Sequence, residues 1–226
     1  RQNRWPWLMT AVILIFSLLW SIVAPVTPVA GSASAFTEDF DDNQLNPVWT
    51  VYNGSWGESG QILSQSSTST VSPKTVILNG SDLDTAENQT IVAKVRVDSW
   101  LEGNANSRAG VSLFTGTVNG LGYSLLFARD HSTIRFLDGT GSWGPRYSFT
   151  WVTGSWYWFK LKMENETLYG KVWQDGLPEP TTWAYTWARS GRIGYPALYG
   201  GSYSASTASF DNVTVTNDIA VPAPTF

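Results

Sequence analysis

The chain has no cysteine and one histidine, His131, among its 226 residues. Without cysteine there are no disulfides, no thiol catalysis and no cysteine-ligated zinc, so the core must supply the stability unaided. With one histidine, His-rich metal sites are excluded, and a Ser-His-Asp triad could be built only around His131. That residue stands in Arg129-Asp130-His131-Ser132, which reads as a solvated turn between strands. Charge is scarce too, at 14% of residues, with 14 basic against 18 acidic groups and a net charge of −4. No basic run is present, so neither nucleic acid nor anionic lipid is an expected partner.

What the chain does have is tryptophan, 13 in all. A tryptophan can fill a core, or it can lie flat on a surface and stack against the apolar face of a sugar ring. The function depends on which of them do which.

Residues 1–35 belong to export rather than to the fold. Arg1 and Arg4 precede an apolar run from Trp7 to Val23, Pro25 and Pro28 break it, and Ala33-Ser34-Ala35 offers a small-x-small cleavage pattern. The order reads as a secretory signal cut after Ala35. The rival is an uncleaved membrane anchor, since the run is nearly long enough to span. Either way a membrane enters only through this segment. Losing Arg1 and Arg4 with it takes the net charge from −4 to −6.

From Phe36 onward the sequence shows no helical period. Short alternating runs are punctuated by Gly, Asn, Asp, Ser and Pro, the pattern of an all-β sandwich or barrel. The clearest strand is Thr90–Asp98, with Ile91, Ala93, Val95 and Val97 on one face. Next is Tyr157–Glu164, with Tyr157, Phe159, Leu161 and Met163 inward, turning at Asn165-Glu166 into Thr167–Gln174 as a hairpin. Further strands are expected at 37–41, 48–52, 61–65, 75–78, 108–115, 122–129, 133–137, 148–152, 182–188, 192–199 and 208–216. So many short antiparallel strands in one domain, residues 36–217, predict two packed sheets. Residues 218–226 read as a linker or tail.

The order of motifs is more specific than any one of them. It runs from Phe36-Thr-Glu-Asp-Phe-Asp41 and Trp49-Thr-Val-Tyr-Asn-Gly-Ser-Trp56 through Ser107-Arg-Ala-Gly-Val-Ser-Leu-Phe114. Then come Gly154-Ser-Trp-Tyr-Trp-Phe-Lys-Leu161, Leu168-Tyr-Gly-Lys-Val-Trp-Gln-Asp-Gly176 and Ser209-Phe-Asp-Asn-Val-Thr-Val215. Over residues 36–216 this resembles a concanavalin A-like lectin/glucanase domain, of the laminin-G-like kind in bacterial secreted proteins. The resemblance implies an antiparallel jelly-roll sandwich whose first and last strands pair, with sugars lying across one concave sheet. It also implies a secreted or cell-surface, bacterial setting, and core roles for Trp49 and Trp56. Fold alone does not decide function, because such folds serve lectins, enzymes and spacers alike.

Alternation supplies candidate binding residues. Trp158 falls opposite the core set of its strand, and Trp173 and Tyr169 do the same on the partner, which makes a plausible aromatic platform. Trp183, Tyr185 and Trp187 form a stripe that is either core or an extension of it. Arg108 lies opposite Ala109, Val111 and Leu113, while Tyr123 and Arg129 share a face of the next strand. Trp143 and Trp151 lie in or beside the loop Gly139–Arg146, from which a ring could overhang a cleft. Leaving aside the stripe of Trp183, Tyr185 and Trp187, the other eight residues are the expected contacts for a poly- or oligosaccharide.

The acidic cluster Glu38, Asp39, Asp41 and Asp42 would meet Asp211 and Asn212 if the first and last strands pair. Asp39, Asp41 and Asp211 could then hold the structural calcium that this fold often carries, or simply line an exposed turn. No other cofactor is expected. Glycoside cleavage needs two flanking carboxyls, and the Glu-x-Asp-x-x-Glu run of the resembling glucanases is absent. Glu164 and Glu166 come nearest, at a hairpin turn. The expected function is therefore a non-catalytic saccharide-binding or adhesion module. The alternatives are a carbohydrate-active enzyme similar to 3-keto-disaccharide hydrolases, and a structural spacer.

Overall fold

Short alternations of apolar and polar residues become strands, and no helix occurs among the described residues. A computed structural model describes residues 34–79, 88–190 and 193–217. Of residues 1–35, expected to serve export, 1–33 lie outside the described residues, as does the tail at 218–226, whereas Ser34 and Ala35 open the first strand and pair with Asn217 and Thr216. The first strands are β1 (Ser34–Glu38), β2 (Trp49–Val51), β3 (Trp56–Glu58), β4 (Leu63–Gln65) and β5 (Pro73–Leu78). Then follow β6 (Gln89–Ser99), β7 (Arg108–Thr115), β8 (Tyr123–Ala128), β9 (Thr133–Leu137) and β10 (Trp143–Ser148). The last are β11 (Trp156–Glu164), β12 (Thr167–Gln174), β13 (Tyr185–Ala188), β14 (Tyr195–Ser202) and β15 (Thr207–Asn217).

They form two antiparallel sheets, a jelly-roll sandwich as expected. One runs β13-β12-β11-β6-β15-β4-β3, and β1 pairs with β15 beside that path. The other runs β10-β9-β8-β7-β14-β5-β2. First and last strands do pair, in the register Phe36↔Val215 and Glu38↔Val213. The hairpin β11–β12 closes with Glu164 opposite Thr167. Its two turn residues, Asn165 and Glu166, both have positive φ, 47° and 56°. Two left-handed residues give the turn a twist that matches the flanking strands.

The core lies between the sheets. Ile91, Ala93, Val95 and Val97 of β6 meet Tyr157, Phe159, Leu161 and Met163 of β11 on one side, and Ala109, Val111, Leu113, Leu125 and Phe127 on the other. Gly170 faces inward, where an added Cβ would stand 2.9 Å from Leu125, so the absent side chain makes room for that leucine. Trp49 is buried and Trp56 packs half-buried on Phe210, as expected.

Three expectations fail for physical reasons. The strand expected at 148–152 lies earlier, as β10, because Trp143–Ser148 pairs with β9 despite Gly144 and Pro145, with a bulge between Trp143 and Arg146. Trp151 is no loop residue over a cleft: it is 1% exposed, stacked on Phe127 at 4.3 Å and edge-on to Trp100 at 4.9 Å. Tyr123 is also core. It packs against Phe114, and its hydroxyl donates to the Ser190 carbonyl at 2.9 Å.

Candidate functional site

The two sheets treat their outer faces differently. In β6 and β11 buried residues alternate with half-exposed ones, the mark of a sheet with one face in water. In β5, β7 and β8 every residue is buried, including those pointing away from the core. Leu126, Leu137 and Tyr199 form a small apolar floor on this outer face, with Trp143 packed against it. The outer face of the second sheet is therefore recessed, the kind of surface on which ligands are held.

Four of the nine arginines gather there. Arg129, Arg135 and Arg146 line a cavity of about 150 Å3 together with Trp143, Thr133, Ala105 and Ala128. Arg108 borders it from β7, 93% buried, with its guanidinium 4.6 Å from the Trp143 ring centroid. Arg135 approaches the same ring to 4.7 Å. Such contacts hold a guanidinium in place by the electrostatics of the ring. Around them Arg108 donates to Tyr199 and Asn106 at 3.4 Å, and Arg135 to the Gly144 carbonyl at 3.2 Å. Arg146 donates to the Thr133 hydroxyl at 2.8 Å and to Asp130 at 3.3 Å.

Two features are unusual. The Nε of Arg108 and of Arg135 are buried without a hydrogen-bond partner among the described residues, although buried donors are normally paired. The charges are also uncompensated: Asp130, on Arg146, is the sole carboxylate paired with any of the four among the described residues. Burial and the like charges of Arg146, Arg108 and Arg129 push the Arg135 pKa down, yet a guanidinium stays protonated.

Of the eight expected contacts, the structure thus brings Arg108, Arg129 and Trp143 together. Arg129 arrives by an unexpected route. β8 ends at Ala128, and a φ of 66° at Arg129 turns its side chain off the strand's alternation, so it leaves Tyr123 in the core. Arg135 and Arg146 join them from outside the expected set. The core residues Ile134 and Phe136 that flank Arg135 place it on the outer face by alternation, whereas Arg146 carries no such signal, standing in a Gly- and Pro-containing stretch that reads as a loop.

Trp158, Trp173 and Tyr169 sit on the opposite side of the molecule, on the outer face of the first sheet. Trp158 and Trp173 are paired across strands and stack on each other, 6.0 Å apart and 13° from parallel. Trp173 is only 9% exposed and offers no platform. Trp158 is half-buried, donates to Asp175 at 2.8 Å and borders a groove of about 350 Å3 with Glu38, Asp39, Asn212 and Thr214. Trp183 precedes β13 and leaves the stripe: it lies beside Tyr169 and over Lys171, while Tyr185 and Trp187 join the core. Trp156 lies on this same outer face under Arg96.

Asp39, Asp41 and Asp211 do border one surface depression, together with Arg96. Among the described residues, however, no three acidic or histidine side chains converge on a metal position. Asp211 also faces Lys94 at 3.9 Å. This set does not fit a calcium ion, which takes six to eight oxygens. Glu164 pairs with Lys162 at the hairpin, and Glu166 is exposed in the turn.

His131 is more than a solvated turn residue. Its Nδ1 meets Glu102, and its Nε2 meets the Thr153 hydroxyl at 2.9 Å. The N–H groups of Gly154 and Ser155 bond to the Val97 and Val152 carbonyls, so the donors that an oxyanion beside Thr153 would need are spent. The contact ties two loops together.

Three carboxyls set the acid response. Burial alone would raise Asp130, Asp138 and Glu179, but hydrogen bonds hold each below its usual value: Thr133 and Ser132 on Asp130, Thr140 and Ser142 on Asp138, Lys171 and Lys160 on Glu179. A depressed folded-state pKa stabilises above the unfolded value and loses that stabilisation as pH falls through the folded one. Glu58 works the other way, raised by burial and Asp42. From the three depressed carboxyls, melting temperature is expected to fall progressively below about pH 4, with Glu58 acting in the opposite direction, as calorimetry from pH 6 to 3 would show.

No protein-family model matches the chain, and no curated protein matches its sequence significantly. Solved structures do share its fold. A GH43 protein of Bacillus licheniformis, BlXynB, superimposes with a TM-score of 0.57 at 14% identity, over 80% of this chain and 39% of that one. The chain thus spans about two fifths of that protein's length. The CBM2 module of an evolved Dit from Lactobacillus casei BL23 phage J-1 gives 0.53 at 16% identity, over 83% of this chain and 97% of the module. The exoplasmic/lumenal domain of VIP36, in its Ca2+/Man3GlcNAc-bound form, gives 0.54 at 10%, over 80% of this chain and 88% of that domain. At these identities the likeness is one of fold: a jelly-roll sandwich shared with carbohydrate-related proteins.

Proposed function

We propose that this protein is a non-catalytic saccharide-binding module, and that the recessed outer face of the second sheet is its site. The observation that carries the reading is the pair Arg108 and Arg135, fixed against Trp143 with buried donors unused. Guanidinium forks hydrogen-bond adjacent sugar hydroxyls, and the free part of the Trp143 indole packs against ring C–H groups. The named relatives add support, since one is a carbohydrate-binding module and another is bound to Man3GlcNAc. The basic and apolar pattern at the start of the sequence supports a setting outside the cell, secreted if that segment is cleaved and surface-held if it is retained. A second reading puts the sugar in the groove of the first sheet, where half-buried Trp158 stands beside Glu38, Asp39 and Asn212.

A glycan array followed by titration with tryptophan emission tests both. Binding with an emission change, lost in Arg135→Gln and kept in Trp158→Ala, is the expected outcome. The reverse pattern moves the site to the first sheet, and turnover of any bound polysaccharide overturns the non-catalytic assignment.

A further inference from the structure

The arginine cleft holds more positive charge than a neutral sugar requires. Neutral saccharides are recognised by a mixture of donors and acceptors, because each hydroxyl offers both. The four guanidiniums here supply donors only, and the cavity has few acceptors: the Thr133 hydroxyl already receives two bonds from Arg146. Asp130 is engaged by Arg146 and by Ser132. No carboxylate pairs with Arg108, Arg129 or Arg135 among the described residues, while the chain as a whole carries −4. The excess is local and set against the net charge of the molecule.

Keeping these charges together has a cost that the fold does not offset internally. Arg108 and Arg135 both lie within 4.7 Å of one ring centroid, so their guanidiniums are at most about 9.3 Å apart, close to the ~8 Å screening length of physiological salt, and buried charges are screened less than exposed ones. Each buries an Nε with no partner, and the downward push on the Arg135 pKa by its three neighbours is the same repulsion in another form. An oxyanion in the cleft would relieve the repulsion, by accepting from the guanidinium N–H groups that face it and by neutralising charge.

We propose that the saccharide held here is acidic, presenting a carboxylate or sulfate oxyanion to Arg129, Arg135 and Arg146. The proposal rests on the reading of this cleft as the saccharide site. At about 150 Å3 the cavity is smaller than the several hundred Å3 of drug-sized pockets. It accommodates one acidic sugar unit or its pendant group, with the rest of the chain lying along the sheet. Planar guanidiniums suit such oxyanions because two parallel N–H groups match two oxygens.

The test compares oligogalacturonate, neutral oligogalactose and a sulfated galactan oligosaccharide, with inorganic sulfate alone, each titrated at low and high salt. The expected result is at least tenfold tighter binding of one acidic ligand than of neutral oligogalactose, weakened by salt. Arg129→Gln, at an exposed position that leaves packing untouched, should remove about tenfold of that preference, and Arg135→Gln more. Preference for galacturonate identifies the carboxylate as the source, and preference for the sulfated chain identifies the sulfate. Equal binding of neutral oligogalactose overturns the charge proposal while leaving saccharide binding intact. Inorganic sulfate binding as tightly as the acidic sugars overturns it as well, by showing an anion site with no part for the sugar. If no sugar binds, neutral or acidic, across a wide array, the saccharide reading itself fails and this proposal with it.

Discussion

Replacing Trp151 by Ala is expected to lower unfolding stability by about 3–5 kcal/mol, the range for deleting a large buried aromatic. The indole is 1% exposed and stands at the junction of several contacts. It stacks on Phe127 at 4.3 Å, meets Trp100 edge-on, lies 4.3 Å from the His131 ring and donates its N–H to the Asp130 carbonyl at 3.1 Å. Phe127 in turn touches Tyr157 and Phe159 of the facing sheet. Deleting the indole opens a cavity under both loops that His131 joins, and leaves the Asp130 carbonyl short of a partner. For a domain of this size, about 2–4 °C per kcal/mol, melting should fall by roughly 6–20 °C. Since whole domains hold only about 5–15 kcal/mol, calorimetry should show the variant near the edge of folding. A shift below about 2 °C would show that the site collapses and that the indole is dispensable.

This residue also marks where sequence reasoning stops. Alternation located β7, β9 and β12 at their observed bounds and put Ile91, Ala93, Val95 and Val97 in the core, because a period of two survives in any regular strand. It fails where the backbone leaves the strand. Trp151 lies just beyond β10 in an extended segment bonded to the loop before β9, so neither strand alternation nor loop composition places it. Arg129 escapes parity through a positive φ, and Trp183 precedes its strand. Trp173 was placed on the correct face, but its burial depends on a stacking partner, Trp158, and a face label carries no information about what covers it. The platform and the arginines were legible one by one. That they occupy opposite outer faces was not, because it depends on which strands share a sheet, and pairings such as β7 with β14 join residues about 90 positions apart.

Changing Trp143 should weaken binding through the arginines it holds. The ring is half-buried over Leu126, Leu137 and Tyr199, and two guanidiniums rest within 4.7 Å of its centroid. Each contact contributes about 0.5–2 kcal/mol towards holding an arginine in place. Trp143→Leu keeps an apolar side chain over the floor but removes the π system and part of the indole's bulk, so stability should fall by about 1–3 kcal/mol. Arg108 and Arg135 would then relax away from each other, and a ligand would have to reorder them. Saccharide affinity should fall between tenfold and a hundredfold, read by calorimetric titration because the indole reporter is gone. Trp143→Phe, which restores a smaller π face, should recover part of the loss. If Leu and Phe bind alike, the ring acts by shape alone. If both bind like the parent chain while Trp158→Ala does not, the guanidiniums of the second sheet are not the site, and the sugar lies in the groove beside Trp158.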